Sequence, residues 1–334
     1  MSTRLTIAVD LMSGDLGPRS ALPAALTFAQ AHHDLSLLLV GDPDLRPAEL
    51  PENTHWLAAS QVVTMDDRPV QALRHKQDSS MWNAILAVSE GRADACVSAG
   101  NTGALMAMGK FLLKTFPGVD RPAICKAVPT RKGSSVVLDL GANVDCRSEQ
   151  LEQFALMGSV LATTFDGEAE GAPTVGLLNI GSEDMKGSEQ IRFAASLLEA
   201  NPHVNYQGFI EGDDIFAGAV DVVVCDGFVG NVALKVSEGV ARLLSDYLVE
   251  AMRGSWFGRL IGQIAKPLLR KWHMKFDPAR YNGASFLGLQ GVVVKSHGSA
   301  DEKGFGYALE VAKDQALNEI PQRINQQMAD GLLS

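Results

Sequence analysis

The feature that most constrains the fold is a regular alternation of apolar, strand-like runs with segments of helical periodicity along the chain. Runs such as Leu5–Leu11, Leu35–Val40 and Ala93–Ser98 predict strands, and segments such as Ser148–Phe165 and Val232–Met252 predict helices. Strands separated by helices form mostly parallel sheets that are covered on both faces. The sequence therefore predicts an α/β fold with three layers, α/β/α. Its 334 residues suit one large unit over 1–334 or two interwoven subdomains.

Six of the predicted strands end in short loops of small polar residues. In parallel α/β sheets, ligands bind outside the carboxyl ends of the strands, so we expect the six loops to gather at one edge of the sheet. Backbone N–H groups and hydroxyls in such loops suit an oxyanion, although ordinary glycine-rich turns have the same composition. The six loops are Met12–Asp15, Ala99–Gly103, Gly141–Asn143, Gly181–Gly187, Asp226–Asn231 and Ser296–Ser299.

The segment Thr174–Gln190 shows this loop type most clearly. It begins as a strand, breaks at Gly181 and continues as a helix for which Ser188 is the predicted N-cap. This geometry presents backbone N–H groups to an anion, and Lys186 adds a full positive charge beside them. The alternative is an ordinary strand-to-helix connection with a solvated lysine.

Composition and missing motifs exclude several classes of protein. The formal net charge of -10 argues against a general nucleic-acid binder. The sequence has no GxxxxGK[ST], no GxGxxG after the first strand, no HExxH and no Cys/His cluster, so we expect no cofactor and no metal. Acidic loop residues such as Asp139 and Asp226 could hold a magnesium ion, but strand-end and helix-capping roles are the simpler interpretation. Cys96 and Cys225 lie in apolar runs, which is typical of small core residues.

A second informative segment, 251–276, contains no acidic residue although the chain is acidic overall. Leu260 and Ile264 belong to its one apolar helical face, and Trp256 flanks that face. A basic amphipathic helix with tryptophan suits an anionic membrane surface or an acidic protein partner. A helical hairpin packed in a dimer is the alternative. The basic residues are Arg253, Arg259, Lys266, Arg270, Lys271 and Lys275.

Several long strings resemble the PlsX family of bacterial phosphate acyltransferases, in the same order and from end to end. The strings are AVDLMSGD over 8–15, SAGNTGALMA over 98–107, LDLGAN over 138–143, GLLNIGSEDMKGSE over 176–189, DGFVGNVALKVSEG over 226–239 and GVVVKSHGSAD over 291–301. Ser13 departs from the pattern, which has glycine there more often. The resemblance implies a fold similar to those of phosphotransacetylases and of isocitrate and isopropylmalate dehydrogenases.

The resemblance also implies a reaction and its partners. A long-chain fatty acyl group passes from acyl-carrier protein to inorganic phosphate, and the acyl phosphate serves phospholipid synthesis through a membrane glycerol-3-phosphate acyltransferase. The family implies a homodimer in the cytoplasm that associates peripherally with the inner face of the cell membrane. A short-chain phosphotransacylase that uses acyl-CoA is the alternative.

This chemistry needs positioned donors more than a nucleophilic side chain, because phosphate is itself a nucleophile and a thiolate leaves readily. We expect Lys186 and Asn231 to act on phosphate or the developing oxyanion, and His297 to orient phosphate or protonate the thiolate. The residues expected to bind phosphate or substrate are Asp10, Ser13, Gly14, Ser98, Asn101, Thr102, Asn143, Ser182 and Gly230. The residues expected to dock carrier protein or membrane are Arg253, Trp256, Arg259, Leu260, Ile264, Lys266, Arg270 and Lys271.

Overall fold

The computed structural model describes residues 4–164, 171–253, 265 and 278–332 of the chain. The strands of these residues, numbered β1 to β11 in chain order, are Thr6–Asp10, Ser36–Gly41, Thr54–Ala58, Ala95–Ser98, Ala123–Pro129, Ser134–Leu138, Thr174–Leu178, Asn205–Ile210, Val222–Val224, Ala284–Leu287 and Val292–Lys295. The helices, numbered α1 to α10, are Pro18–Ala31, Pro69–His75, Ser80–Ser89, Thr102–Leu113, Ser148–Ala162, Glu189–Ala200, Asp214–Ala217, Gly227–Arg253, Glu302–Leu317 and Ile320–Leu332.

All these strands form one sheet, in the order β3-β2-β1-β4-β11-β10-β5-β6-β9-β7-β8. The strands from β3 to β11 pair in parallel, and so do those from β6 to β8. Between these two parallel groups, β10 and β5 pair with their neighbours in antiparallel fashion. The predicted α/β fold with a mostly parallel sheet is confirmed.

The prediction that all six loops share one edge of the sheet is wrong. Three successive antiparallel pairings separate β11 from β6, so β6, β9 and β7 run opposite to β1, β4 and β11. The carboxyl ends of the two parallel groups therefore lie at opposite edges. The cause is the pair of strands β5 and β10, which the alternation of strands and helices did not predict.

Helices cover both faces of the sheet. Beside the first parallel group, α3 and α4 pack on one face, and α1 and α9 pack on the other. Beside the second group, α5, α6 and α10 pack together over a core that includes Phe154, Leu151 and Leu138. Cys96 and Cys225 are almost fully buried, which confirms their predicted place in the core.

Helix α8 differs from the others because it begins within a predicted loop and leaves apolar side chains in solvent. The segment expected to form the loop Asp226–Asn231 is helical from Gly227 onward. Exposed apolar residues follow along the helix: Phe228, Val229, Val232, Val236, Val240, Leu243, Leu244, Tyr247 and Val249. No helix of the described residues is long and apolar enough to cross a membrane.

The segment expected to dock carrier protein or membrane falls almost wholly outside the described residues. Arg253 ends α8, and its side chain is not among the described ones. The residues outside the description are Trp256, Arg259, Leu260, Ile264, Lys266, Arg270 and Lys271.

Candidate active site

The loops after β1 and β4 are organised by one buried carboxylate, that of Asp10 at the end of β1. It accepts hydrogen bonds from the hydroxyls of Ser80, at 2.5 Å, and Ser98, at 2.6 Å. It also accepts bonds from the backbone N–H groups of Met12 and Ser13. Asp10 has no exposed surface, so its carboxylate holds the loop in place through these buried hydrogen bonds. The predicted phosphate contacts of Asp10 and Ser98 stay predictions.

The other residues predicted around this first group of loops lie where β1, β4 and β11 end. Gly14 has φ +99°, and a Cβ there would lie 2.8 Å from the Cβ of Ala99 and 3.2 Å from the carbonyl oxygen of Gly298. Only glycine allows this close approach, which brings the three loops together. The Oγ of Ser13 is buried and has no hydrogen-bond partner among the described residues, so it retains a free donor.

Asn101 and Thr102 begin helix α4. The Oδ1 of Asn101 caps the helix by accepting from the N–H of Ala104 at 3.0 Å, and its Nδ2 donates to the carbonyl of Met65 at 2.6 Å. The side-chain amide of Asn101 is thus committed to holding the loop, as expected for an N-cap asparagine. Thr102 is the first helical residue and is partly exposed. Phosphate binding by these two residues stays a prediction.

The loops of the second group repeat the device with Asp139, the residue after β6. Five N–H groups donate to its carboxylate, from Ile124, Gly141, Ala142 and both nitrogens of Asn143. Burial raises the pKa of Asp139, and these hydrogen bonds oppose the rise. Asn143, predicted as a substrate residue, is buried beside it and holds the loop.

Gly230 and Asn231 lie on the first turn of α8, next to the same loop. A Cβ on Gly230 would lie 1.9 Å from the carbonyl oxygen of Asp139, so only glycine lets the helix approach the end of β6. Asn231 is exposed and lies against Gly141. Its side-chain amide makes no hydrogen bond with a described residue, so both its donor and its acceptor are free for a ligand.

Ser182 and Lys186 lie on the exposed loop between β7 and α6, as predicted. Asn179 holds the loop, because its Nδ2 donates to the carbonyl of Lys186 at 3.2 Å and its Oδ1 accepts from the N–H of Ile180. The Nζ of Lys186 forms no hydrogen bond or ion pair with any described residue. The ammonium is therefore free, although β7 belongs to the second group of loops and not to the group that contains Asp10.

Two lysines that the sequence analysis did not select lie on the face of the sheet between the two groups of loops. Lys295 of β11 pairs with Ala284 of β10, and the register of β10 with β5 puts Lys126 next in the same row. Both side chains point to the face that carries Val293 and Ile124. The signal in the sequence was a lysine inside an otherwise apolar strand, as in AICKAV and VVVKSH.

Helix α8 brings further charges over this row. Glu238 lies 3.9 Å from the Nζ of Lys126 and 3.0 Å from the Nζ of Lys235. Burial lowers the pKa of Lys295 to about 8, with Lys235 adding to the effect and Asp15 and Asp10 opposing it. The helix that presents Asn231 at its first turn thus presents Lys235 one turn later on the same side.

His297 lies just beyond β11, where these charges act together. Burial and the positive charges of Lys235 and Lys295 lower the pKa of His297, so the imidazole is neutral at pH 7. Its Nδ1 lies 2.9 Å from the Oγ of Ser299 and 3.3 Å from the backbone nitrogen of Ser299, and when Nδ1 accepts from these two groups the ring proton is on Nε2. His297 can therefore donate one hydrogen bond to an oxyanion without carrying a charge.

Among the described residues, no group of three or more His, Cys, Asp or Glu side chains could hold a metal ion. The chemistry available to the described site consists of lysines, amides, hydroxyls and one neutral histidine. These groups bind and polarise oxyanions.

The chain is an α/β protein whose fold is similar to that of phosphotransacetylases. Solved structures of a phosphotransacetylase from Streptococcus pyogenes and of the EutD phosphotransacetylase from Staphylococcus aureus superpose with TM-scores of 0.63 and 0.60. Each is 16% identical to this chain, and the alignments cover 95% and 94% of both chains, respectively. At this identity the similarity shows the fold.

The chain belongs to the PlsX family of phosphate acyltransferases; the matching family model, described as "Fatty acid synthesis protein", covers residues 5–323. A phosphate acyltransferase from Nitrosococcus oceani is 53% identical over 328 residues, which are 96% of each chain. One from Cellvibrio japonicus is 52% identical over 336 residues, 98% of this chain and 99% of the relative. The protein is thus an acyltransferase enzyme of a fatty-acid synthesis family.

Proposed function

We propose that this enzyme transfers a long-chain fatty acyl group from acyl-carrier protein to inorganic phosphate. The observation that carries the proposal is the near-full-length identity, above 50%, to proteins named phosphate acyltransferase. The free Lys186 and Asn231 and the neutral His297 support it, because direct attack by phosphate requires donors and no covalent enzyme intermediate. The acyl phosphate would then supply phospholipid synthesis through a membrane glycerol-3-phosphate acyltransferase.

In the proposed step, a phosphate oxygen forms a bond to the thioester carbonyl carbon. The carbonyl oxygen becomes an oxyanion, which Lys186 and Asn231 stabilise, with Ser182 as a further donor. The C–S bond then breaks, and its electron pair leaves with sulfur as the thiolate of the carrier protein. The Nε2–H of the neutral His297 orients the phosphate by donating a hydrogen bond. A neutral imidazole is too weak an acid to protonate the thiolate, which therefore takes its proton from solvent.

The decisive experiment mixes the purified protein with long-chain acyl-carrier protein and inorganic phosphate and traps acyl phosphate with hydroxylamine. A tube without phosphate is the control. We expect trapped product only with phosphate. Product from short-chain acyl-CoA, and none from the carrier protein, would move the assignment to a short-chain phosphotransacylase. Absence of product from both donors would overturn the proposed reaction.

We further propose that residues 251–276 dock the acidic carrier protein or the anionic inner membrane surface. Their lack of acidic residues and their apolar face support this. Replacing Leu260 and Ile264 by glutamate should abolish binding to vesicles of anionic lipid while sparing turnover of soluble substrate. Vesicle binding is measured by flotation. Unchanged binding by the double variant would mean that the segment serves structural packing and not docking.

We also propose that the enzyme is a homodimer and that the exposed apolar side of α8 contributes to the contact. Val236 and Val240 are 59% and 50% exposed and lie one turn apart. Replacing both with aspartate should halve the mass measured by light scattering, because charges in an apolar contact oppose association. Leu317→Asp, at an exposed apolar residue of α9, is the matched control. An unchanged mass in the double variant would exclude this surface.

A further inference from the structure

Two large apolar side chains border Lys186 and lie in solvent. Ile180 and Met185 expose 80% and 81% of their surface, more than any other large apolar side chain of the described residues. Met185 directly precedes Lys186 in the chain. A Cβ on Gly181 would lie 3.1 Å from the Cγ of Lys186, so the stem of this lysine passes over the residue next to Ile180. The free ammonium therefore has an apolar neighbour on each side.

The loop that carries these two side chains is held closed by its own contacts. The N–H of Lys186 donates to the carbonyl of Glu183 at 2.9 Å, and the Nδ2 of Asn179 donates to the carbonyl of Lys186. Gly187 has φ +83°, and a Cβ there would lie 2.3 Å from the Oδ1 of Asn179, so only glycine fits. The closed loop thus holds its two apolar side chains outward.

The neighbouring loops add further exposed apolar side chains. Leu138 of β6 pairs with Val224 of β9, and Val224 pairs with Leu177 of β7, so the three strands end side by side. Adjacent strands lie about 4.8 Å apart, which places the loops after them within about 10 Å of one another. A group of exposed apolar residues of this kind marks a binding surface. We call the group the apolar band: Val144, Ile180, Met185, Phe228 and Val229.

The charges around the apolar band restrict what can bind there. The cations in the same loops are Lys186 and Arg147, and Arg147 pairs with Asp120. A surface with an excess of carboxylates repels an anionic lipid surface and an acidic protein alike, whereas it does not repel an uncharged alkyl chain. The carboxylates exposed or partly exposed in these loops are Asp145, Glu183, Asp184 and Asp226.

Covalent connectivity points to the alkyl chain of the acyl donor. In the proposed step, Lys186 and Asn231 stabilise the oxyanion that forms on the thioester carbonyl. The alkyl chain begins at that carbonyl carbon, one bond from the oxygen, so its first methylene groups must lie beside these two residues. The apolar side chains that border Lys186 are those of Ile180 and Met185.

We propose that the apolar band binds the beginning of the acyl chain and that Ile180 and Met185 make the enzyme favour long chains. The assignment rests on the proposed function. Each methylene group removed from water there strengthens binding about 4-fold, which a short chain cannot exploit. The ammonium of Lys186 holds the oxygen, and its two neighbours hold the chain.

The test compares chain lengths on one carrier. The value of kcat/KM is measured with palmitoyl-carrier protein and with butyryl-carrier protein, for the wild type and for the double variant Ile180→Asn/Met185→Gln. Because the same carrier protein delivers both chains, the ratio of the two values reports the contacts of the chain. We expect the palmitoyl-to-butyryl ratio to fall about 10-fold in the double variant, which is close to the loss of two buried methylene groups.

Two control variants accompany the polar one. Val70→Asn removes an apolar side chain that is also exposed but lies on α2, which packs on α4 beside the first group of strands, and should keep the wild-type ratio. Ile180→Leu/Met185→Leu keeps the band apolar and should keep the ratio as well. A loss in the leucine variant as large as in the polar variant would contradict the proposal, because apolar character would then not matter.

A second measurement follows chain binding without any reaction. Fluorescence titration with cis-parinaric acid, a fluorescent fatty acid, presents a carboxylate to Lys186 and an alkyl chain to the apolar band. We expect the polar double variant to bind this probe about 10-fold more weakly than the wild type, and the leucine variant to bind it as the wild type does. Both exchanged side chains are exposed, so the variants should fold, and circular dichroism checks this.

The outcomes separate the chain site from the reaction. Product from the wild type, with an unchanged ratio and unchanged probe affinity in the polar variant, would overturn the chain site and leave the proposed function standing. No product from any donor would overturn the function, while the titration would still decide whether the band binds an alkyl chain. An unchanged ratio combined with a halved mass in light scattering would assign the band to a second copy of this chain. An unchanged ratio combined with lost flotation on vesicles would assign it to a membrane.

Discussion

At the scale of the residue, the same device appears twice, at Asp10 and Asp139. Each is a fully buried carboxylate at the end of a strand, and each accepts at least four hydrogen bonds from the loop that follows or from its neighbours. Such bonds fix the backbone without consuming the loop's outward N–H groups. The residue type was visible in the sequence, but whether the carboxylate faced the ligand or the interior was not.

Lys186 is the residue whose replacement should affect turnover most. Lys186→Ala removes a free ammonium from an exposed loop, so we expect kcat to fall at least about 100-fold, the loss typical of an oxyanion donor. The melting temperature should stay within about a degree, because the ammonium supports no described contact. Lys132→Ala serves as the control for loss of a surface charge. Near-normal activity of the Lys186 variant would remove this residue from the mechanism.

Lys295 should make stability depend on pH. Its pKa is about 8 in the folded protein, against an ordinary value of 10.5, because burial outweighs the attraction of Asp15 and Asp10, and Lys235 adds to the lowering. Between these two values the unfolded chain binds a proton that the folded chain does not. Stability from this group therefore rises with pH through that window, and the cost of burying the charge is fully present below pH 8.

Lys295→Met should therefore raise the melting temperature at pH 7 by a few degrees, in phosphate-free buffer. The gain should shrink at pH 9.5, where the wild-type lysine is already mostly neutral. Differential scanning calorimetry of both proteins at the two pH values measures this. An equal gain at both pH values would mean that packing, and not charge, sets the difference.

At the scale of the element, helix α8 offers a matched pair of glycines. Gly230 touches the carbonyl of Asp139, whereas a Cβ on the exposed Gly239 would meet nothing within 4 Å. Gly230→Ala should lower the free energy of unfolding by about 1–3 kcal/mol or more, because the helix must move away from β6. Gly239→Ala should raise it by about 0.5–1 kcal/mol, since alanine favours the helix.

Urea unfolding of the two α8 variants beside the wild type gives these differences. The activity of Gly230→Ala should fall as well, because Asn231 moves with the helix. If both substitutions shifted stability in the same direction, the close approach of α8 to Asp139 would not be a determinant of the fold.

Most elements were predictable because their signals are local. The helix at Pro18 and the strand Ser36–Gly41 lie within a residue or two of the expected limits, since proline and apolar runs act over a few residues. Strands β5 and β10 were not predicted from the sequence, because their hydrogen bonds to neighbouring strands, and not their composition, establish them as strands. Their antiparallel insertion reverses one half of the sheet, which no local pattern reports.

At the scale of the whole molecule, the four cysteines should report global unfolding. Cys96, Cys125, Cys146 and Cys225 are all buried, and burial raises the pKa of Cys146 to about 12 and those of the others further. A thiol must ionise and meet the reagent, so we expect native protein at pH 8 to react very slowly with Ellman's reagent. In denaturant all four should react. Rapid reaction of one thiol in the native enzyme, or inhibition by alkylation, would show that a cysteine is accessible.

Local patterns in the sequence were enough to predict the alternation of elements, the polar loops, the lysine in the loop of the Thr174–Gln190 segment and the family. These depend on residues close together in the chain, where propensity and periodicity act. The folded structure was needed to establish the strand directions, the burial of Asp10 and Asp139, and the register that places Lys295 and Lys126 two strands apart in one row. Register joins residues that are far apart in sequence. The neighbours of a lysine inside an apolar strand can therefore be identified only from the folded sheet.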